Sequence, residues 1–351
     1  MAAVYRGYVA KRAPAHRIAQ EHGASTGAAW VMRFNGRGLA APETTAALDA
    51  ALAAGRATAC VLDIGENLRQ IVVSKQDVAR ALAETAAAGP EDTALRTAIV
   101  RDFHRGTLGV ISRVNGDGMI VEYSDQGLMA LNRGVAGGEP IVVADRARSL
   151  GEPGRTTTDP DCAELLPHLE RVARVTEALT SAYGPVTAEW VFDDGILYFV
   201  DYSVLRTADA VLVRDDVLCI SPGTVRGPLL RLEDDDLLAR LSIGPAVSID
   251  QDKTRDVSGH QGLRSITEKI EACETRPIVH TARPYAVLSV LLGSVAGFLF
   301  DHGSSLGHLA ILLREAAVPA AAAPGLECVD GDEVLISDGT VTVIGRGKEE
   351  S

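Results

Sequence analysis

Phe300-Asp301-His302-Gly303-Ser304-Ser305-Leu306-Gly307-His308-Leu309-Ala310-Ile311-Leu312-Leu313-Arg314-Glu315 is the stretch on which the reading of this chain turns. Small residues fill the first half, and a run with apolar helical periodicity fills the second. A thin loop therefore delivers His308 to the first turn of a helix. Val318-Pro319 and a run of alanines follow it. Gly297 to Asp301 reads as a strand leading into the loop, and Tyr285 to Leu292 as a helix before that strand.

Composition bounds what surrounds this stretch. The chain has 351 residues, enough for two domains, with 46% hydrophobic residues to build their cores. A formal net charge of −13 repels a phosphate backbone and excludes nonspecific nucleic-acid binding. Five cysteines, odd in number and without a CxxC pair, read as reduced thiols of a cytoplasmic protein. Arg6, Lys11 and Arg12 break the first apolar stretch, so no signal peptide is expected. The run Tyr285 to Phe300 is too short and too glycine-interrupted to span a bilayer, and no membrane is expected among the partners.

Upstream, the periodicity changes several times. Pro14 to Glu21, Pro42 to Ala54, Lys75 to Ala88 and Cys162 to Tyr183 read as helices. Ala28 to Phe34, Ala59 to Ile64, Ala98 to Val100 and Pro140 to Ala144 read as strands. Asn115-Gly116-Asp117-Gly118 joins two strands, 109–114 and 118–123, because these residues tolerate the positive φ of a tight hairpin. Asp193-Asp194-Gly195 does the same between Val186 to Phe192 and Ile196 to Tyr202. Gly151 to Asp161 reads as a loop, Val211 to Val217 as strand-like, and 248–275 as a polar loop or extra helix. Asp234-Asp235-Asp236 reads as a solvated helix start. No HExxH, Walker loop or GxSxG occurs, so zinc-protease, P-loop and serine-hydrolase chemistry lack support.

The His308 stretch resembles the Gly-Gly-x-x-Ser-His-x-Ala-Ile-x-x-Arg-Glu-x-Gly-Ile-Pro-Ala pattern of one superfamily. Its members are phosphoenolpyruvate synthase, pyruvate phosphate dikinase and rifampicin phosphotransferase, and the pattern belongs to their swivelling phosphohistidine domain. Ile220-Ser221-Pro222-Gly223-Thr224-Val225-Arg226-Gly227 resembles the segment that opens that domain, and Gly331 to Ile344 its closing hairpin. By this resemblance His308 is a covalent phosphate carrier. Neutral imidazole is a nucleophile near pH 7, and a helix N-terminus can hold the transferred group. Gly303, Ser304, Ser305, Gly307 and Arg314 are then the phosphate loop, the serines donating hydrogen bonds and Arg314 pairing with Glu315 or with phosphate. Gly307 stands where the family has a residue with a hydroxyl or thiol. His302 is a second, weaker candidate carrier.

Thr187-Ala188-Glu189-Trp190-Val191-Phe192 … Gly195-Ile196-Leu197-Tyr198-Phe199-Val200-Asp201 resembles the hairpin that ends the ATP-grasp domain of the same enzymes. The resemblance implies that Glu189 and Asp201 face ATP and hold Mg²⁺, which favours carboxylate oxygens. Glu122 is an additional nucleotide-site candidate by the same likeness, and Lys11 or Arg33 would supply a phosphate-gripping cation. The family's Gln-Ala-Arg-Pro ending is Asp201-Tyr202-Ser203-Val204 here, and its nucleotide-lid segment has no match.

The expected protein is α/β (α+β): a shortened ATP-grasp-like domain over 1–210, then a swivelling β/β/α phosphohistidine domain over 219–345. The expected function is a dikinase-like phosphotransferase. It passes a phosphoryl group from a nucleotide through His308 to a small-molecule acceptor, and no residues remain for the pyruvate-binding barrel. Either a separate protein chain completes such an enzyme, or the acceptor binds between the two domains. The opposing readings are a non-catalytic nucleotide-sensing or partner-docking module and an ATP-grasp ligase, which has no use for a histidine at a helix start.

Overall fold

The computed structural model describes residues 8–35, 46, 48–50, 52–53, 55, 57–64, 69–87, 96–115, 118–135, 139–143, 164–205, 212–214, 217–243, 257–337 and 339–346. The Gly151 to Asp161 loop and most of the Pro42 to Ala54 helix lie outside them. The protein is α+β and contains several sheets. Its contacts divide it into two compact units. One comprises 1–107, 189–202 and 244–252; the other comprises 108–188, 203–243 and 253–351. These units cut the chain elsewhere than the expected 1–210 and 219–345.

The first unit carries strands β1 (Ser25–Thr26), β2 (Ala29–Phe34), β3 (Ala59–Ile64), β4 (Arg69–Ser74) and β5 (Arg96–Phe103). β2, β5, β3 and β4 form an antiparallel sheet in that order. Helices α1 (Ala13–Glu21) and α2 (Val78–Ala87) accompany it. Val78, Ala81 and Leu82 recur at helical spacing and enter a core with Phe34, Leu62 and Val100.

In the second unit β6 (Leu108–Asn115), β7 (Gly118–Ser124) and β8 (Glu139–Val143) run antiparallel. Asn115 pairs with Gly118, the register that the expected hairpin requires. Helices α3 (Leu128–Asn132) and α4 (Leu169–Tyr183) follow in sequence. β9 (Val186–Asp193) and β10 (Ile196–Val204), whose residues 189–202 are counted with the first unit, are joined by a turn with positive φ at both Asp194 (50°) and Gly195 (75°). That is the tight primed turn which the Asp-Gly pair specifies.

An eight-stranded sheet carries the histidine loop. Its members are β11 (Leu212–Arg214), β12 (Val217–Ser221), β13 (Thr224–Arg231), β14 (Ile278–Thr281), β15 (Gly297–Phe300), β16 (Ala320–Ala322), β17 (Glu333–Ser337) and β18 (Thr340–Gly345). They are ordered β11-β12-β16-β15-β14-β13-β17-β18. The centre, β13-β14-β15-β16, is parallel, and β14, β15 and β16 are buried along their whole length. Side chains alternate between two cores: Phe298 and Phe300 enter one, Leu299 the other. Helices α5 (Asp235–Ile243), α6 (Val257–Glu271) and α7 (His308–Glu315) contribute Leu238, Ile266, Ile270, Leu309 and Leu313 to the first of these cores. Tyr285 to Leu292, expected as a helix, contains a 3₁₀ helix over Ala286–Leu291. Ala317, just past the end of α7, takes φ +53°.

Candidate functional site

His308 occupies the first position of α7, and Gly307 is its extended N-cap (φ −64°, ψ 163°). The imidazole belongs to an exposed residue. Surrounding protein still displaces enough water to lower its pKa from the usual imidazole value; Arg133 lowers it further and Glu315 opposes them. The neutral, nucleophilic ring is therefore favoured near pH 7. Arg133 follows α3 and donates to the Ser242 carbonyl at 2.5 Å. Nothing in its sequence spacing pointed to it. Its position depends on the Arg133 carbonyl accepting from Ala286 N–H and on Arg283 reaching the Val135 carbonyl. Gly134, at φ +68°, lets this turn approach: a Cβ there would sit 2.0 Å from the Pro284 carbonyl oxygen.

The loop before His308 is gripped from two sides. Glu122 on β7 accepts hydrogen bonds from Ser304 Oγ (2.5 Å), Ser305 N–H (2.7 Å), Ser305 Oγ (2.7 Å) and Leu306 N–H (3.3 Å). Arg314 on α7 donates to the carbonyls of Ser305 and Ile220, both at 2.9 Å. Ser304 Oγ also accepts from Gly307 N–H at 2.8 Å. The two serine hydroxyls expected to reach phosphate are committed to Glu122 here, and the Arg314 guanidinium to backbone carbonyls. Glu122, expected beside the nucleotide, is 1% exposed and lies with the serines. Burial raises its carboxyl above the usual range, and the four donors offset this only in part.

The two glycines have packing reasons. A Cβ on Gly303 would meet the Ala322 Cβ at 2.5 Å; one on Gly307 would meet Ser304 Oγ at 2.9 Å. Gly307 is thus the residue that fits beneath a serine already held in place. His302 is exposed, its amide bonded to the Ala282 carbonyl.

Asp201 belongs to the other compact unit. Its Oδ2 accepts from Arg12 Nε at 2.9 Å; its Oδ1 meets Lys11 Nζ at 3.3 Å and accepts from Tyr202 N–H at 2.9 Å. Burial alone would raise its pKa, but Arg12 and Lys11 hold it below the usual carboxylate range. Arg12 also reaches Asp63 at 3.0 Å, and Arg101 reaches the same carboxylate at 2.9 Å. Glu189 acts electrostatically on Arg12, so the two expected metal ligands do share a neighbourhood. Of the two cations expected near phosphate, Lys11 is here; Arg33 is exposed on β2. Arg12, the centre of the cluster, was not singled out by the sequence reading. With its oxygens taken by two cations and an amide, Asp201 as arranged does not fit Mg²⁺. Among the described residues no group of three or more His, Cys, Asp or Glu could hold a metal ion.

His280, Asp301 and Cys328 form one more cluster: His280 Nε2 lies 2.8 Å from Asp301 Oδ1, and its Nδ1 lies 3.8 Å from Cys328 Sγ. Burial raises the Cys328 thiol pKa, which leaves it protonated and inert.

No protein-family model matches this chain. No curated protein matches it. Among solved structures it is similar to phosphoribosylglycinamide synthetase from Anaerococcus prevotii, at 11% identity and a TM-score of 0.33, over 56% of this chain and 42% of that one. It is similar to the VanG D-Ala:D-Ser ligase from Enterococcus faecalis at 14% and 0.31, over 55% and 51%. It is also similar to a RimK domain ATP-grasp protein from Sphaerobacter thermophilus at 19% and 0.29, over 55% and 57%. The chain thus spans about half the length of these structures. Likenesses this weak decide neither fold nor chemistry.

Proposed function

We propose that this chain is a nucleotide-dependent phosphotransferase whose His308 carries the phosphoryl group. The observation behind this reading is the state of His308: exposed, favoured in its neutral form, and first in a helix whose approach is pinned on both sides. An imidazole nitrogen attacks the phosphorus of the donor. A P–N bond forms, the P–O bond to the donor breaks, and the leaving phosphate oxygen keeps the electron pair. An acceptor hydroxyl oxygen then attacks the same phosphorus and gives up its proton to solvent; the P–N bond breaks, its electron pair returns to the ring nitrogen, and the imidazole is neutral again. Arg133 and the first-turn N–H groups of α7 supply positive potential for the transferred group. ATP is the proposed donor, and a small molecule the proposed acceptor, received here or from a separate chain. The proposed carrier body is 219–345.

Incubation with ATP labelled at the β or γ phosphate, with Mg²⁺ in the buffer, tests this. The expected result is an acid-labile, alkali-stable phosphoprotein in wild type and none in His308→Ala. The labelled position identifies the phosphate that moves. Nucleotide turnover that survives His308→Ala would point to a ligase, and an absence of both label and turnover would remove the phosphotransferase reading.

A further inference from the structure

We infer that Glu122 is a positioning residue for His308, acting through Ser304, 182 residues away in sequence, and through Ser305 beside it. This rests on His308 being the phosphoryl carrier. The chain of contacts is short. Glu122 Oε2 accepts a hydrogen bond from the Ser304 hydroxyl, which leaves a Ser304 lone pair to accept Gly307 N–H at 2.8 Å. Gly307 is the N-cap of α7, and His308 is the next residue. Oε1 meanwhile holds Ser305 by both its amide and its hydroxyl, each at 2.7 Å. The Ser305 carbonyl accepts from Arg314, on the same helix as His308.

A loop of small residues has wide conformational freedom, and a glycine N-cap offers no side chain to fix the helix start. Glu122 supplies what the local sequence lacks. Its four donors are all neutral and all lie within 304–306, so its contacts order this loop rather than balance a charge. Ser304, Ser305 and Leu306 are each buried, which makes an unmet partner costly. The carboxylate thus sets where the imidazole stands relative to an incoming phosphorus, while touching neither.

Glu122→Gln separates positioning from folding, because it keeps the side-chain length but offers a single acceptor oxygen. The probes are ATP labelling, amide hydrogen exchange, and an NMR titration of the His308 ring in the unphosphorylated protein. The expectation is a folded variant that labels about tenfold slower or worse, since an ångström of misplacement costs on the order of a hundredfold. Exchange at Ser305 and Leu306 should quicken, and the His308 titration should move. Ser305→Ala, which keeps the backbone contacts, should show the same changes at smaller size and serves if Glu122→Gln does not fold. Wild-type labelling, exchange and titration in both variants would overturn the inference. If wild type takes no label at all, the carrier reading fails by itself; exchange and titration still decide whether Glu122 governs His308.

Discussion

Two carboxylates nominated for the same nucleotide site have come to rest in opposite surroundings. Glu122 is enclosed by neutral donors, and burial raises its pKa; Asp201 is enclosed by Arg12 and Lys11, which overcome burial and lower it. One orders a loop, and the other anchors a network of charges. Residue type and local motif are alike in the two cases. The partners make the difference, and they come from far along the chain.

Breaking the charged side should have the largest effect. Arg12→Met leaves Asp63 and Asp201 each short of a cation in a partly buried setting. Removing one partner of a buried ion pair typically costs 3–5 kcal/mol. Asp63 keeps Arg101 and Asp201 keeps Lys11, so a loss of about 3 kcal/mol, at the low end of that range, is expected in urea unfolding. A change near zero would mean that the cluster is a surface network without cooperative strain.

The neutral side can be strained by adding a single side chain. Gly307→Ser places a Cβ 2.9 Å from Ser304 Oγ, which Glu122 and Gly307 N–H both hold. Overpacking of this kind costs about 2 kcal/mol. Ser304→Ala in the same chain should recover part of that loss, which a double-mutant cycle measures directly. Additive losses would show that Ser304 is not the obstacle.

pH should move the two carboxylates in opposite directions. Asp201 has a lowered pKa in the fold, so its stabilisation is present above the ordinary carboxylate value and is lost as pH falls toward the folded one. The advantage of wild type over Asp201→Asn should therefore shrink with acidification. Glu122 has a raised pKa, so its contribution weakens as pH rises from the ordinary value toward the folded one. The advantage over Glu122→Gln should shrink with alkalinisation instead. Each slope is bounded by about 1.4 kcal/mol per pH unit. Parallel slopes in the two variants would contradict the contrast.

The same contrast marks how far the sequence could be read. The Asp194–Gly195 turn was legible because positive φ at two successive positions has a local chemical signature. The apolar runs of β2 and β3 and the periodicity of α7 were legible for the same local reason. β16 was not: Ala320–Ala322 has little intrinsic preference for a strand. It is one because it lies between β12 and β15, where small side chains suit the close approach of Gly303. β4 was missed, and so was α3 with the Arg133 that follows it, because neither carries a distinctive period. The pairing of Glu122 with Ser304 spans 182 residues, and no local pattern encodes it.

The far end of α7 sharpens the comparison at modest cost. Ala317 takes φ +53°, a left-handed conformation that costs a residue with a Cβ about 1–2 kcal/mol. Ala317→Gly relieves that but loosens the unfolded chain, so a net gain of about 1 kcal/mol is expected. It should leave the Glu122 clamp untouched, and an altered exchange rate at Ser305 would show the two ends of the helix to be coupled.

The smallest expected effect on stability belongs to the residue with the largest expected effect on chemistry. His308 is exposed, and its imidazole is not part of the clamp that Glu122 and Arg314 form on the loop. His308→Ala keeps the Ser304, Ser305 and Leu306 contacts, and alanine is a better helix former than histidine. Its unfolding free energy should stay within about 0.5 kcal/mol of wild type, the range for surface positions away from special features. The lowered pKa makes a further demand. Imidazole is the nucleophile only when neutral, so the labelling rate should hold steady through pH 7 and fall only well into acid. The acid limb should lie below the ordinary histidine value of about 6.5. A large stability loss in His308→Ala would instead place the ring in the packing of the loop, making it one more structural contact.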